Sequence, residues 1–207
     1  MPEAEVVATG IRFPEGPVWC PDGTLVCTSV ADGALERVHI DKGHVERIAV
    51  VGGGANAAQL ATDGGFVVTQ NGGIDYAATG LYRDDPPPYE PVTPGLQRVA
   101  PDGTVTYLAH GGFLAPNDLV VAADGTLWFT DPPHHPPPED PAGRVHTMSP
   151  DGTIRVVAGG FHYCNGIALE PDSTPVVIEG PGLQRLLPDG KREWVAERLG
   201  DSPGDGL

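Results

Sequence analysis

Residues 115–133 read APNDLVVAADGTLWFTDPP, and this stretch decides the fold class. Two short apolar runs, LVVA and TLWFT, flank the turn sequence ADG, which is the pattern of a β-hairpin. The hairpin opens on a polar pair, Asn117 and Asp118, although the strand that follows has the composition of a buried strand. The same polar opening recurs along the chain, so it needs an explanation that applies to every repeat.

Four segments share this pattern of a polar residue, an apolar run, an Asp seven positions later and a second apolar run. They are EGPVWCPDGTLVCTS (15–29), NAAQLATDGGFVVTQ (56–70), NDLVVAADGTLWFTD (117–131) and NGIALEPDSTPVVIE (165–179), and GDGL restarts the pattern at Asp205. A second hairpin follows each of the four, so the repeat is a four-stranded unit of about 47 residues, the length of a β-propeller blade. The sequence therefore predicts an all-β, single-domain β-propeller over residues 1–207.

Composition and charge limit the classes of partner. Hydrophobic residues make up 40% of the chain and charged residues 19%, as in ordinary globular domains. The formal net charge of −16 opposes binding to nucleic acid and to anionic membranes. There is no basic, apolar leader and no apolar stretch of about 18–20 residues, so a cytoplasmic protein is expected.

The polar residues that open the repeats are expected at one rim of the central channel. They form a predicted ring of oxygen donors from separate blades: Glu15, Asn56, Asn117, Asn165 and Asp205. Such oxygens suit calcium, magnesium or manganese better than softer metals. Two other interpretations stay open, because Asn and Asp also cap turns and propeller channels also hold only water. The insertions 71–94 and 132–143 are expected on the same face, either as a rim or as plain surface loops.

The words FPEGPVW, PNDLVV, GTLWFTDPP, CNGIAL and GDGL together resemble the gluconolactonase/regucalcin (senescence-marker-protein) family of metal-dependent lactonases. The resemblance implies a six-bladed propeller, of which this chain has the length for about four blades and the start of a fifth. It also implies one divalent cation in the channel, calcium first, with zinc, magnesium and manganese as alternatives. The implied ligands are Glu15, Asn117, Asn165 and Asp205. Further contacts to the substrate or to the ligands are expected from Asn56, Asp118, Asp131 and His162.

The function expected from the ring and the resemblance is hydrolysis of a lactone, a small-molecule substrate. The metal would act as Lewis acid, Asp205 as general base and Glu15 mainly as an anchoring ligand. The usual Arg shortly before the ND word is missing, which leaves the lactone undefined. The alternatives are a phosphotriesterase of the diisopropyl fluorophosphatase type and a non-catalytic calcium-binding or interaction propeller.

Two further expectations concern the surfaces of the sheets. An incomplete ring of blades leaves sheet edges open, so self-association through them is expected. Trp19, Trp128 and Trp194 lie inside strand patterns and are expected in the core. Among the histidines, His134 and His135 are expected to be solvated.

Overall fold

A computed structural model of the chain describes residues 4–82, 84–134 and 138–207. Within these residues, sixteen strands form four antiparallel sheets of four strands. The first two sheets comprise β1 (Pro14–Trp19), β2 (Leu25–Ser29), β3 (Ala34–His39), β4 (His44–Val50), β5 (Ala55–Leu60), β6 (Phe66–Gln70), β7 (Gly95–Val99) and β8 (Val105–His110). The other two comprise β9 (Leu119–Val121), β10 (Leu127–Asp131), β11 (Gly143–Met148), β12 (Ile154–Phe161), β13 (Cys164–Leu169), β14 (Pro175–Glu179), β15 (Gly182–Leu186) and β16 (Arg192–Ala196).

Each sheet is a simple meander, in which every strand pairs with its neighbour in the sequence. The first strands of the sheets, β1, β5, β9 and β13, contact one another in chain order, which is the arrangement of propeller blades around a channel. The predicted all-β propeller with four blades is therefore confirmed. The described insertion residues include one short helix, α1 (Tyr76–Thr79), and no helix in the described ranges has the length and apolarity needed to cross a membrane.

The repeated Asp explains the repeated turns. Its carboxylate accepts a hydrogen bond from the backbone N–H two residues later, which closes a local turn without help from the rest of the fold. The first hairpins of all four blades show the same contact: Thr24 N to Asp22 Oδ1 at 3.0 Å, Gly65 N to Asp63 Oδ1 at 3.1 Å, Thr126 N to Asp124 Oδ1 at 2.9 Å and Thr174 N to Asp172 Oδ1 at 3.0 Å.

Three apolar clusters lie between successive blades. The first brings Val26 and Leu35 of blade 1 against Phe66 and Val68 of blade 2. The others are built in the same way, around Leu96 with Phe129 and around Phe161 with Val177. Because side chains alternate across a strand, each middle blade supplies one face to the blade before it and the other face to the blade after it.

The prediction that all three tryptophans are core residues is wrong for two of them. Trp128 packs against the cluster between blades 3 and 4. Trp19 is 63% exposed and Trp194 is 46% exposed. Alternation places Trp19 on the opposite face of β1 from Val18, which packs toward blade 2, and Trp194 lies on the outermost strand of its sheet. A strand pattern gives the two faces of a strand but not which face is covered.

Candidate active site in the central channel

The five residues that open the repeats lie around one cavity. This cavity has a volume of about 480 Å³, and its walls come from the first strand of every blade and from the segment that ends the chain. Of the residues predicted to contribute to a site, it is lined by Glu15, Asn56, Asn117, Asp118, Asn165 and Asp205. The structure thus brings the whole predicted ring together with Asp118.

The ring residues sit where the first strands depart from regular pairing. The pairing of β1 with β2 shifts between Glu15 and Val18, and that of β5 with β6 shifts between Ala55 and Ala58. The same irregularity occurs in β13, between Cys164 and Ile167. A bulge of this kind turns a side chain away from the regular alternation, which lets Glu15, Asn56 and Asn165 face the channel.

Gly16 explains the EGP word. Its φ of +51° is disfavoured for residues with a side chain, and a Cβ there would lie 2.5 Å from Ala57 Cα. This glycine lets blades 1 and 2 approach at the ring.

Burial beside Asp205 and Asp118 raises the pKa of the neighbouring Glu15 from 4.5 to about 7, with burial as the main cause. Three carboxyl groups therefore share the cavity and repel one another when ionised.

The two residues of the NG motif, Asn165 and Gly166, both form hydrogen bonds to Asp205. Asn165 Nδ2 donates to Asp205 Oδ1 at 3.0 Å and to Gly204 O at 3.3 Å. Gly166 N donates to Asp205 O at 3.0 Å, and a Cβ on Gly166 would collide with that carbonyl oxygen. Asn165 Oδ1 is buried and has no hydrogen-bond partner among the described residues. A buried acceptor of this kind is costly unless something occupies it, which is the expected property of a ligand oxygen.

The side chains of Asn117 and Asp118 make different contacts and have different roles. The Asn117 side chain is buried at the cavity and is hydrogen-bonded to Tyr163. Asp118 accepts from Leu119 N through Oδ1 and from Ile167 N of blade 4 through Oδ2, both at 2.9 Å. Burial raises the pKa of Asp118 to about 6, although these two hydrogen bonds act in the opposite direction. Asn117 therefore faces the channel, while Asp118 holds β13, the strand that carries Asn165, through the hydrogen bond from Ile167 N.

Two residues at the site were missed by the sequence reasoning. Asn71, the first residue of the longer insertion, donates from Nδ2 to Asn56 Oδ1 at 3.4 Å. Tyr163 has a pKa raised to about 12, mainly by burial and further by nearby acidic groups that include Asp205 and Glu15. The repeat gives no signal for Tyr163, because the position two residues before the ring residue holds Phe13 in blade 1, Gly54 in blade 2 and Ala115 in blade 3.

Asp131 is not among the residues that line the described cavity. It is fully buried and accepts four hydrogen bonds: from Leu114 N at 2.8 Å, Ala115 N at 2.9 Å, Arg144 Nη2 at 2.7 Å and His146 Nε2 at 3.1 Å. The first two donors belong to the segment that leads directly to Asn117. Asp131 therefore acts on the ring by holding that segment in place.

The predicted contribution of His162 is not seen at the described cavity. His162 is exposed, and its backbone N donates to Glu179 Oε1 at 2.8 Å, while its side chain is not part of the cavity lining of the described residues. His134 is exposed, in agreement with a solvated loop. His135 lies outside the described residues.

The residues present fit a hard divalent cation. In the described ranges, no three His, Cys, Asp or Glu side chains group in a way that could hold a metal by themselves. A metal here would therefore use the Glu15 and Asp205 carboxylates together with amide oxygens such as Asn165 Oδ1. This all-oxygen set matches calcium, magnesium or manganese, and a cation would remove the repulsion between the buried carboxylates.

Residues 13–179 match the family model described as the SMP-30/gluconolactonase/LRE-like region. The chain belongs to this family. The match runs from the EGP word to the end of β14, and so includes four of the five ring residues and three complete blades.

Known proteins resemble this chain in sequence or in fold. A gluconolactonase from Zymomonas mobilis subsp. mobilis is 26% identical over 196 residues, which cover 84% of this chain and half of that protein. A solved gluconolactonase from Xanthomonas campestris superposes with a TM-score of 0.74 at 24% identity, over 97% of this chain and 68% of that one. A virginiamycin B lyase from Staphylococcus aureus has the same fold, with a TM-score of 0.63 at 14% identity over 93% of this chain and 58% of that one.

Proposed function

We propose that this chain belongs to a metal-dependent lactone hydrolase of the gluconolactonase type. The family membership supports the reaction class, and the chain spans half the length of the curated gluconolactonase that it matches. The observation that carries the proposal is the convergence of Glu15, Asn117, Asn165 and Asp205 on one cavity. Within the part of the chain that the structure describes, Asn165 Oδ1 is buried there without a hydrogen-bond partner.

The cation would be held by Glu15 and Asp205 with the amide oxygens of Asn117 and Asn165. When bound, it would supply stabilisation of the negative charge that develops on the lactone carbonyl oxygen. Calcium is the proposed ion, because two carboxylates and neutral amide oxygens leave room for the several further oxygen ligands that calcium accepts.

Asp205 is the proposed general base. Asn165 Nδ2 donates to its Oδ1 at 3.0 Å, which orients the carboxylate at the cavity. Asp205 would take a proton from the attacking water as the new C–O bond forms at the carbonyl carbon. The ester C–O bond of the ring then breaks, and the proton passes to the leaving ring oxygen, so the product is a hydroxy acid.

Glu15 and the amides have positioning tasks in this proposal. Glu15 comes from the first blade and lines the same cavity as Asn165 and Asp205, so it would add a donor from a different blade. Asn117, fixed between Tyr163 and the channel wall, would orient the substrate. Asn56, whose Oδ1 accepts from Asn71, would offer its amide group to a hydroxyl of the lactone.

The test measures hydrolysis of a panel of γ- and δ-lactones, glucono-δ-lactone among them, and of phosphotriesters. We expect lactone hydrolysis that stops in excess chelator and returns with calcium. Asp205→Asn should lower kcat/KM by roughly 10²-fold or more, which is the scale of general-base catalysis. Asp201→Asn is the matched control, because Asp201 lies in the same terminal segment with a fully exposed side chain.

Four outcomes would overturn parts of this proposal. Full activity of the chelated wild-type protein would remove the metal. Full activity of Asp205→Asn would remove Asp205 as the base. Turnover of phosphotriesters without lactones would assign the site to the alternative hydrolase class, and calcium binding without any turnover would make it a binding propeller.

A further inference from the structure

The second strand of each of the first three blades carries a threonine beside the ring. Thr28 in β2, Thr69 in β6 and Thr130 in β10 all occupy the fourth position of their strand, and all three are fully buried. The cavity described above does not include them. Their hydroxyl groups nevertheless make the same contact, because each donates to the main-chain carbonyl of the ring residue in the next blade.

These contacts join neighbouring blades at the ring. Thr28 Oγ1 donates to Asn56 O at 2.8 Å, and Thr130 Oγ1 donates to Asn165 O at 2.7 Å. Thr69 Oγ1 donates to Asn117 O in the same way. The carbonyl of a ring residue points toward the preceding blade, where the hydroxyl satisfies it.

Two of these hydroxyls, those of Thr69 and Thr130, also accept hydrogen bonds within their own blades. Ala57 N donates to Thr69 Oγ1 at 2.8 Å, and Asp118 N donates to Thr130 Oγ1 at 3.0 Å. Both N–H groups follow a ring residue, at the place where the first strand departs from regular pairing. A buried N–H that has left the strand ladder must find another partner, and the threonine oxygen is that partner.

Together these bonds form one continuous belt around the channel. It runs from Thr28 through the Asn56–Ala57 peptide to Thr69, and from there through the Asn117–Asp118 peptide to Thr130. It continues through the Asn165–Gly166 peptide and ends where Gly166 N donates to Asp205 O at 3.0 Å. In every bond of the belt that crosses from one blade to another, the donor belongs to the earlier blade, so successive bonds polarise one another in the same direction.

We infer that Thr28, Thr69 and Thr130 are positioning residues that fix the spacing of the ring across the blade boundaries. Each blade packs on the next through an apolar cluster, and apolar contacts are not directional. The threonine hydroxyls supply a directional link at the radius where the ring oxygens must converge. The fourth blade differs, because Ile178 holds this position and packs beside Gly204, while the link to Asp205 is made by Gly166.

The first test uses Thr69→Val, which keeps the shape of the side chain and removes the hydroxyl. It is read without any metal, from the backbone amide signals of Ala57 and Asp118 in 15N–1H spectra. We expect both signals to shift, one in each of the two blades that Thr69 joins, and we expect Thr69→Ser to restore them. Thr147→Val is the matched control, since Thr147 is also buried on a strand but lies away from the ring.

The second test measures calcium affinity by titration calorimetry and rests on the proposed function. Thr69→Val should weaken calcium binding by roughly tenfold, because two hydrogen bonds at the ring are lost. Thr69→Ser and Thr147→Val should bind as the wild type does. Thr69→Val and Thr130→Val share the Asn117–Asp118 peptide, so the double variant should lose less affinity than the product of the two single losses.

The two tests distinguish the positioning role of the hydrogen-bonded belt from the proposed metal binding. If Thr69→Val leaves both amide signals and the calcium affinity unchanged, the belt does not position the ring. The same conclusion follows if Thr147→Val reproduces the effects of Thr69→Val, because they would then reflect general destabilisation. A wild-type protein that binds no divalent cation would overturn the proposed function, and the amide signals would still decide whether the belt exists.

Discussion

Replacing Glu15 with Gln should stabilise the metal-free protein and abolish its response to calcium. Glu15 lies in the cavity with Asp118 and Asp205, and its pKa is raised from 4.5 to about 7 by burial and by those two carboxyl groups. Between these two values the folded protein binds more protons than the unfolded chain does. The free energy of unfolding therefore falls as the pH rises through this range, and above pH 7 the ionised Glu15 destabilises the fold.

The magnitude follows from the size of the pKa change. A shift from 4.5 to about 7 corresponds to about 3 kcal/mol if all of it is realised, at 1.36 kcal/mol for each pH unit. Glu15 is only partly buried, and screening by water reduces this to about 1–2 kcal/mol. At pH 8 without metal, Glu15→Gln should therefore raise the free energy of unfolding by about 1–2 kcal/mol. The gain should shrink toward zero as the pH falls to 4.5.

Calcium should reverse the order of the two proteins. A ligand at about 100 times its Kd stabilises the folded state by about 2.7 kcal/mol, and the variant lacks a ligand for the ion. Urea unfolding at pH 5 and pH 8, with chelator and with calcium, gives all the comparisons. Glu197→Gln is the control, since it removes one charge at an exposed position. A metal-free Glu15→Gln protein that is no more stable than the wild type at pH 8 would refute the reasoning.

Two further predictions concern residues that hold the site in shape. Gly16→Ala should lower the free energy of unfolding by at least about 2 kcal/mol, because the new Cβ meets Ala57 and the positive φ becomes strained. Urea unfolding measures this, and a variant that unfolds at the same urea concentration as the wild type would contradict it. Asp131→Asn should cost about 3 kcal/mol, because an amide cannot replace a buried carboxylate that pairs with Arg144 and His146. The same measurement checks it, and a loss under 1 kcal/mol would show that the hydrogen bonds to Asp131 rearrange.

Much of the site was predictable because it repeats. The position of Asn56 in its repeat is that of Asn117 and Asn165, and the structure places all three at one cavity. Residues that enter the site once were harder to find. Tyr163 has no counterpart at the matching positions of blades 2 and 3, and Asn71 belongs to an insertion that only one blade carries.

Asp131 shows a different difficulty. Its position at the end of a strand, near the ring, suggested a contact with the substrate or the metal ligands. In the structure, Asp131 Oδ1 accepts hydrogen bonds from the backbone of residues 114–115, and Oδ2 accepts them from the side chains of Arg144 and His146. Sequence spacing gives the end of the sheet on which a carboxylate lies, but it does not say which donors already surround it.

The sequence by itself determined the hairpins, the four-stranded repeat and the register of the ring, because turn chemistry and strand alternation act over a few neighbouring residues. Only the tertiary structure decided which side chains share a cavity, which oxygens stay without partners and how the threonine hydroxyls join one blade to the next. The reason is distance along the chain: Thr69 and Asn117 are 48 residues apart and meet only because two blades pack face to face. Hydrogen bonds of this kind depend on the position of whole sheets, which no local pattern encodes.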